Sequence, residues 1–303
     1  MKRIVWLFFA VWGTAVVSAQ ENGPWTPHQA GGFLSGTFSY WGYDRVQLMN
    51  DTARTGNLLR PVTDMTVQIK AVYGATNRVS IFAAVPIKII STSKSFSDEA
   101  DFSDTLPAGR ITGLGNVIAG VKYKFYHKKW VMAASLHGEM KTGQFDSKTG
   151  LRTAYDAWGV VPMFHIGRSW KEKYYFFLDL GGAWRSDNYS GDWRIGAEGG
   201  AFLFKALWLR LNLDSRRSFR NGSFSHPNNM QTSLYVNDQE WLAIRFQAEY
   251  QHPVGFGLLA GISGYVAGNN IAAAPYYYGG VYYKWNYDLN EAPKYRIEDR
   301  PKE

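Results

Sequence analysis

Between residues 206 and 216 the chain alternates strictly. Leu207, Leu209, Leu211 and Leu213 fall on one side of an extended strand, and Trp208, Arg210, Asn212, Asp214 and Arg216 fall on the other. Successive side chains of a strand point to opposite faces, so period-two alternation divides an oily face from a wet one. Residues 116–125 repeat the pattern, with Val117, Ala119, Val121, Tyr123 and Phe125 opposite Asn116, Gly120, Lys122 and Lys124. So do residues 64–73 (Asp64, Thr66, Gln68 and Lys70 on the polar side), residues 130–141 (Ser135, His137, Glu139 and Lys141) and residues 241–251 (Arg245, Gln247, Glu249 and Gln251). Weaker versions occupy 32–43, 79–90, 157–166, 174–185, 192–204, 256–266 and 276–287, with more Gly and Ala on the polar side.

That makes twelve predicted strands, each near the ~9–11 residues a tilted strand needs to cross the hydrocarbon layer. A soluble antiparallel sheet also alternates. Three features favour a membrane. The apolar face of the clear strands is almost uninterrupted, the strand number is even as in bacterial single-chain barrels, and aromatic residues gather at strand ends, where rings prefer the headgroup level. Trp41, Trp158, Trp184 and Trp193 fall at one predicted rim, and Tyr126, Trp130, Tyr174 and Trp285 at the other. The fold class expected is all-β, a transmembrane antiparallel β-barrel of about twelve strands.

Connections run short on one side (74–78, 127–129, 167–173, near Lys205, 252–255) and long on the other (44–57, 91–112, 142–153, 186–191, 217–231, 267–274). The segment 167–173 is no shorter than 186–191 and is the weak point of the alternation. Outer-membrane barrels keep short turns in the periplasm, so both termini are expected there.

The ends refine this. Met1-Lys2-Arg3, an apolar run from Ile4 to Val17 and then Ser18-Ala19-Gln20 describe a secretory signal peptide over 1–19. The barrel is then expected over 20–288, with a polar periplasmic tail over 289–303. The run is short for a spanning helix, which needs about 20 residues. Two of the +8 formal charges belong to Lys2 and Arg3, and no Lys/Arg-rich run suggests nucleic-acid binding. The chain has no cysteine, hence no disulfide and no thiolate chemistry. Aromatics at 16% and 31 glycines suit girdles and close strand packing.

Candidate chemistry lies on the polar strand face, the expected lumen lining: Lys70, Lys122, Lys124, His137, Glu139, Lys141, Arg194, Glu198, Arg210, Asp214, Arg245 and Glu249, together with Lys88, Arg185, Arg216, Asp64 and Asp179. A water-filled pore with a positive wall favours anions. The competing reading is an interior plugged by paired charges, since twelve strands lie between filled and open barrels. Asp98, Glu99, Asp101 and Asp104 make the loop 91–112 acidic and offer oxygens to calcium, but without EF-hand spacing. Phe96, Phe102 and Leu106 in that loop suggest that it folds inward. No metal site or cofactor is expected. His137 lies beside Ser135 and Glu139, but residues two apart on a strand are roughly 6.5–7 Å apart, too far for a Ser-His-acid array. His165 is on a mixed face, and neither a Gly-x-Ser-x-Gly nor a His-Glu-x-x-His motif occurs.

The turn Gly74-Ala75-Thr76-Asn77-Arg78 leads into a strand with Pro86 near its end, and Gly113-Leu114-Gly115-Asn116 opens a strand closing on Lys122-Tyr123-Lys124-Phe125. This resembles the outer-membrane channel family named for the meta-pathway of phenol degradation, as does the stretch from Thr149 to Trp158. The resemblance covers about half of the barrel, and the family's common Gly-Leu-Gly-Asp reads Gly-Leu-Gly-Asn here. It implies a barrel passing small, often apolar molecules, broadly like the fatty-acid transporters, and carries over no catalytic residue.

The expectation is therefore a non-enzymatic outer-membrane channel for a small solute, with lipid and solute as partners, no nucleic acid, and a homo-oligomer as an open option. The lumen's charge points to anionic solutes and the resemblance to apolar ones. The alternatives are a lipid- or lipopolysaccharide-modifying barrel with His137 and Glu139 as its site, and an adhesive barrel acting through loops 91–112 and 217–231.

Overall fold

Each alternating segment becomes a strand whose polar side turns inward. A computed structural model describes residues 23–50, 52–95, 97, 99–101, 106–170, 173–204 and 206–286. The expected signal segment and tail lie outside these, as do Phe96, Asp98, Phe102, Asp104 and Lys205. Among the described residues twelve long strands run antiparallel in chain order: β1 (Gly32–Asn50), β2 (Thr52–Gly74), β3 (Val79–Thr92), β4 (Ile118–His127), β5 (Val131–Glu139), β6 (Gly159–Trp170), β7 (Tyr174–Arg185), β8 (Asp192–Leu203), β9 (Leu207–Ser218), β10 (Glu240–Gln251), β11 (Phe256–Asn269) and β12 (Tyr276–Trp285). β1 pairs with β2 on one side and with β12 on the other, Gly32 standing opposite both Tyr73 and Trp285. Closure leaves no sheet edge, as backbone in lipid requires.

Burial inverts the pattern of a soluble protein. In β9 the outward Leu209, Leu211 and Leu213 are 40–44% exposed, whereas inward Trp208 is fully buried and Asn212 is 7% exposed. The exposed apolar band faces lipid, and the core is the polar lumen. Trp158, Trp184 and Trp193 stand exposed at the long-loop rim, with Tyr126, Trp130 and Tyr174 exposed at the other.

The wall contains one splice. β3 pairs with β4 only over Val79 to Ala84. Beyond Pro86 its partner is a short strand, Arg110–Leu114. Side chains close the join. Asn116 Nδ2 donates to the carbonyls of Met140 (2.8 Å) and Tyr155 (2.9 Å), Thr142 Oγ1 donates to Gly115 O (2.5 Å), and Thr153 Oγ1 donates to Leu114 O (2.7 Å). The Gly-Leu-Gly-Asn stretch therefore serves the wall.

Four expectations are corrected. Residues 44–57 are not a loop, because β1 and β2 continue as a hairpin beyond the other strands. Its inner residues Val46, Leu58 and Val62 are buried against Leu234 and Ile271, so its alternation is still used. β6 runs on to Trp170, where Arg168 lies over the Trp130 and Trp170 rings (5.8 and 5.3 Å), which makes the connection to β7 short after all. Trp41 is not a rim residue; it is 4% exposed inside the barrel, with Nε1 donating to Ala274 O at 3.0 Å. The loop expected outside over 217–231 instead enters the mouth.

Candidate functional site

The lumen charges meet in groups, some between adjacent strands and others across the interior, and the largest gathers where β5, β7 and β8 reach the long-loop end. Glu139 of β5 receives Arg194 of β8 (2.7 Å) and Arg185 of β7 (3.5 Å). Asp192 receives the same two guanidiniums at 2.8 and 2.7 Å. Lys88 pairs with Asp64 at 2.6 Å. Arg210 bridges Glu249 (2.8 Å) and Glu198 (3.4 Å), and Lys284 adds a contact to Glu249 at 3.3 Å. Asp214 accepts the Trp241 indole N–H at 2.8 Å, and Arg245 donates to the Tyr276 hydroxyl at 3.3 Å. Buried ions persist only when paired in this way, since desolvation of a lone charge costs several kcal/mol. The positive excess of the lining is largely neutralised locally.

The remaining predicted residues divide by level. Lys122 is fully buried and Lys124 half-buried on β4; Lys70 lies near the short-turn end, its Nζ 6.0 Å from the Phe33 ring. Lys141 is not in the lumen. It lies past the end of β5 and pairs with the loop carboxylates Asp156 (3.3 Å) and Asp187 (3.4 Å). His137 is buried edge-on to Phe82 (5.9 Å), while its expected partner Glu139 turns to the arginines, so these two do not form a site. Ser135 reaches across to His165 instead (2.8 Å). His165 is an interior residue, 1% exposed, and not on a mixed face.

Two segments outside the wall stop the ends. At the short-turn end, residues 23–31 run into the lumen. Gly23 N donates to Asp179 Oδ2 (3.3 Å), Lys122 Nζ donates to Gly23 O (2.5 Å), and the Trp25 ring stands edge-on to Tyr175 (5.5 Å) and Phe177 (5.9 Å). The Gly-Ala-Thr-Asn turn is where this segment enters: Asn77 Oδ1 accepts from Gln29 N (2.9 Å), and a Cβ on Gly74 would lie 2.1 Å from His28 O.

At the other end, residues 219–239 dip into the mouth with a short helix, α1 (Pro227–Met230). Asn229 and Thr232 are fully buried, and Leu234 and Val236 nearly so. Tyr43 Oη donates to Thr232 O (2.7 Å), Tyr155 Oη donates to Gln239 Oε1 (2.8 Å), and Asn237 Oδ1 accepts from Ser190 N (2.7 Å). Burial pushes the Tyr235 phenol up to about 12, so it remains protonated. Gly150, at φ +68°, lies against this loop, where a Cβ would sit 2.0 Å from Asn228 O. In the acidic loop, Leu106 is buried with its carbonyl on Arg60 Nε (2.8 Å), and Asp101 Oδ2 accepts from Asn57 N (2.7 Å).

The stopping segments were missed in the sequence because neither alternates. The only signal was glycine in the Gly74 and Gly150 turns, where a passing backbone needs room.

A search of curated proteins gives no match. Among solved structures, the chain is similar to the COG4313 outer membrane channel from Pseudomonas putida F1, at 15% identity and a TM-score of 0.67, over 86% of this chain and 98% of that one. The NanC porin matches at 8% identity and a TM-score of 0.50, over 84% and 100%. At these identities the likeness is one of fold. The family model described as putative MetA-pathway of phenol degradation matches residues 37–273, from within β1 to just before β12, and the chain belongs to that family.

Proposed function

We propose that this chain is an outer-membrane channel for a small solute and that the arrangement described here is its closed state, with the short turns and both termini in the periplasm. The observation that carries this is the pair of non-wall segments, one at each end of a polar lumen inside a lipid-facing barrel. A barrel needing only a filled core could use side chains alone. The space left among Trp41, Asp64, Tyr155, Arg216, Tyr235 and Trp241 is about 30 Å³, room for about two waters and not for a ring, which supports a closed state that opens by movement of the stopping segments.

For the solute, a small aromatic molecule carrying one polar group fits better than a simple anion. Trp41, Tyr43, Trp241, Tyr265 and Tyr276 cluster beneath the mouth loop, and aromatic rings favour edge-on and offset ring partners. Most of the lining arginines, by contrast, already hold carboxylates.

The test is single-channel recording of the refolded chain in a planar bilayer. Rare, brief openings are expected, becoming frequent in Trp25→Ala, with phenol reducing the ion current of the open state. Silence in both proteins, each shown folded by its heat-modifiable gel shift, would overturn the channel reading; current untouched by phenol would overturn the aromatic solute.

A further inference from the structure

Below the charged network lies a row of lumen residues that a channel does not need. Four consecutive strands give one side chain each: Lys122 of β4, Ser135 of β5, His165 of β6 and Asp179 of β7. Register places them. Lys122 stands directly opposite Ser135, His165 directly opposite Asp179, and Ser135 opposite Met163, one diagonal step from His165. Ser135 Oγ lies 2.8 Å from His165 Nε2, and His165 Nδ1 lies 2.7 Å from Asp179 Oδ1. An ionised carboxylate only accepts, so Nδ1 carries the proton, and Nε2 of the neutral ring accepts from the serine hydroxyl. The residues are 8%, 1% and 3% exposed, in the order Ser135, His165, Asp179.

This order of atoms is the one that activates a serine nucleophile on several unrelated folds, independent of chain order. A buried polar knot could also exist only to satisfy its own members. One observation goes further. Lys122, fully buried and cross-strand from Ser135, holds a carbonyl oxygen, that of Gly23 (2.5 Å), while Gly23 N–H sits on the second oxygen of Asp179 (3.3 Å). The row thus already binds a backbone carbonyl on a cation whose strand position is opposite Ser135, the kind of donor that a developing oxyanion needs.

We propose that Ser135 is an acyl-accepting nucleophile and that the lumen hydrolyses small carboxylic esters once residues 23–31 withdraw. Ser135 Oγ bonds to the ester carbonyl carbon as its proton passes to His165 Nε2, and the carbonyl electron pair moves onto the oxygen facing Lys122. Collapse breaks the bond to the alkoxy group, which leaves as the alcohol with the proton from Nε2. Water, deprotonated by the same nitrogen, then releases the acid and restores the serine. Asp179 is a positioning residue that fixes the tautomer.

The experiment uses the refolded full mature chain in detergent, so it needs neither transport nor conductance. A fluorophosphonate probe and p-nitrophenyl acetate are the reagents, with peptide mass spectrometry to locate the label. Label is expected on Ser135, slowly in the parent chain and at least ~10-fold faster in Trp25→Ala. Ser135→Ala should abolish both labelling and turnover. His165→Ala should slow labelling by ~100-fold or more, as loss of a general base does. Asp179→Asn keeps the shape but not the tautomer; it should slow labelling comparably and flatten its rise with pH, which a merely structural role would leave unchanged. Failure to label Ser135 in both the parent chain and Trp25→Ala overturns the proposal, as does labelling that persists undiminished in Asp179→Asn and His165→Ala.

Discussion

The two stoppers do the same job by different physics. Residues 23–31 lead into β1 at Gly32. Near that junction Gln29, Ala30 and Gly31 bond to Asn77, Gly74 and Trp285, and deeper in the lumen the segment holds by two hydrogen bonds at Gly23 and the edge-on rings around Trp25. Residues 219–239 are tethered at both ends, to β9 and β10, and hydrogen bonds to the wall and within the loop recur along it, at Asn229, Thr232, Asn237 and Gln239. They also rest on the charged network. Ser190, whose carbonyl holds Arg185, donates its backbone N–H to Asn237 and its hydroxyl to Asp238. The first segment has only the bonds at Gly23 and the rings around Trp25 to break inside the lumen, while a loop joined to strands at both ends must break many bonds or carry its support with it. The short-turn end is therefore the easier end to open, and the long-loop end the more rigid.

The contrast breaks most sharply at the loop's support. Arg194→Gln leaves Glu139 and Asp192 with one fewer guanidinium, and breaking a buried pair costs about 3–5 kcal/mol. A large drop in the temperature of the heat-modifiable gel shift is expected, with residues 219–239 becoming open to protease. A loop that stays protected in this variant would show that it does not depend on the network.

Trp25→Ala comes next. Losing the ring's contacts with Tyr175 and Phe177 is worth about 2 kcal/mol for a half-buried aromatic, by comparison with buried ones. That corresponds to roughly a 30-fold gain in open-state population, read as open time in single-channel records, with little change in gel-shift temperature. An equal loss of thermal stability would mean that the segment belongs to the core and is not a gate.

Gly150→Ala puts a side chain into a left-handed position and against Asn228 O, a strain of about 1–2 kcal/mol. It should loosen the mouth loop, measured as faster amide exchange at residues 227–233. Tyr43→Phe removes one bond to Thr232 and is worth about 1 kcal/mol, a several-fold change at most in the same exchange. Combined with Trp25→Ala, it should act additively on conductance if the stoppers are independent; strong coupling between the two would mean that they move together.

The strands were legible because each has one face in lipid and one in the lumen, so all twelve alternate and their positions follow within a few residues. The longest error, over 44–57, had a physical cause. There the inner face is covered by the chain's own loops, so a strand continued where the bilayer no longer demanded one. The site was legible only in part. Parity placed Lys122, His137, Glu139, Arg194, Arg210 and Glu249 inward, but it could not say which carboxylate each cation takes, because that depends on the register between strands. Ser135 and His137 were adjacent candidates in sequence, and cross-strand register gave the serine to His165 instead.

The order of oily and polar residues by itself determined a closed barrel, its strand number and its wet interior, because lipid imposes a local rule on every residue that meets it. Whether that interior stands open was decided only by tertiary structure. Residues 23–31 and 219–239 carry no periodic pattern, and their places follow from hydroxyls, rings and N–H groups supplied by strands up to 255 residues away along the chain, as Trp285 is from Ala30.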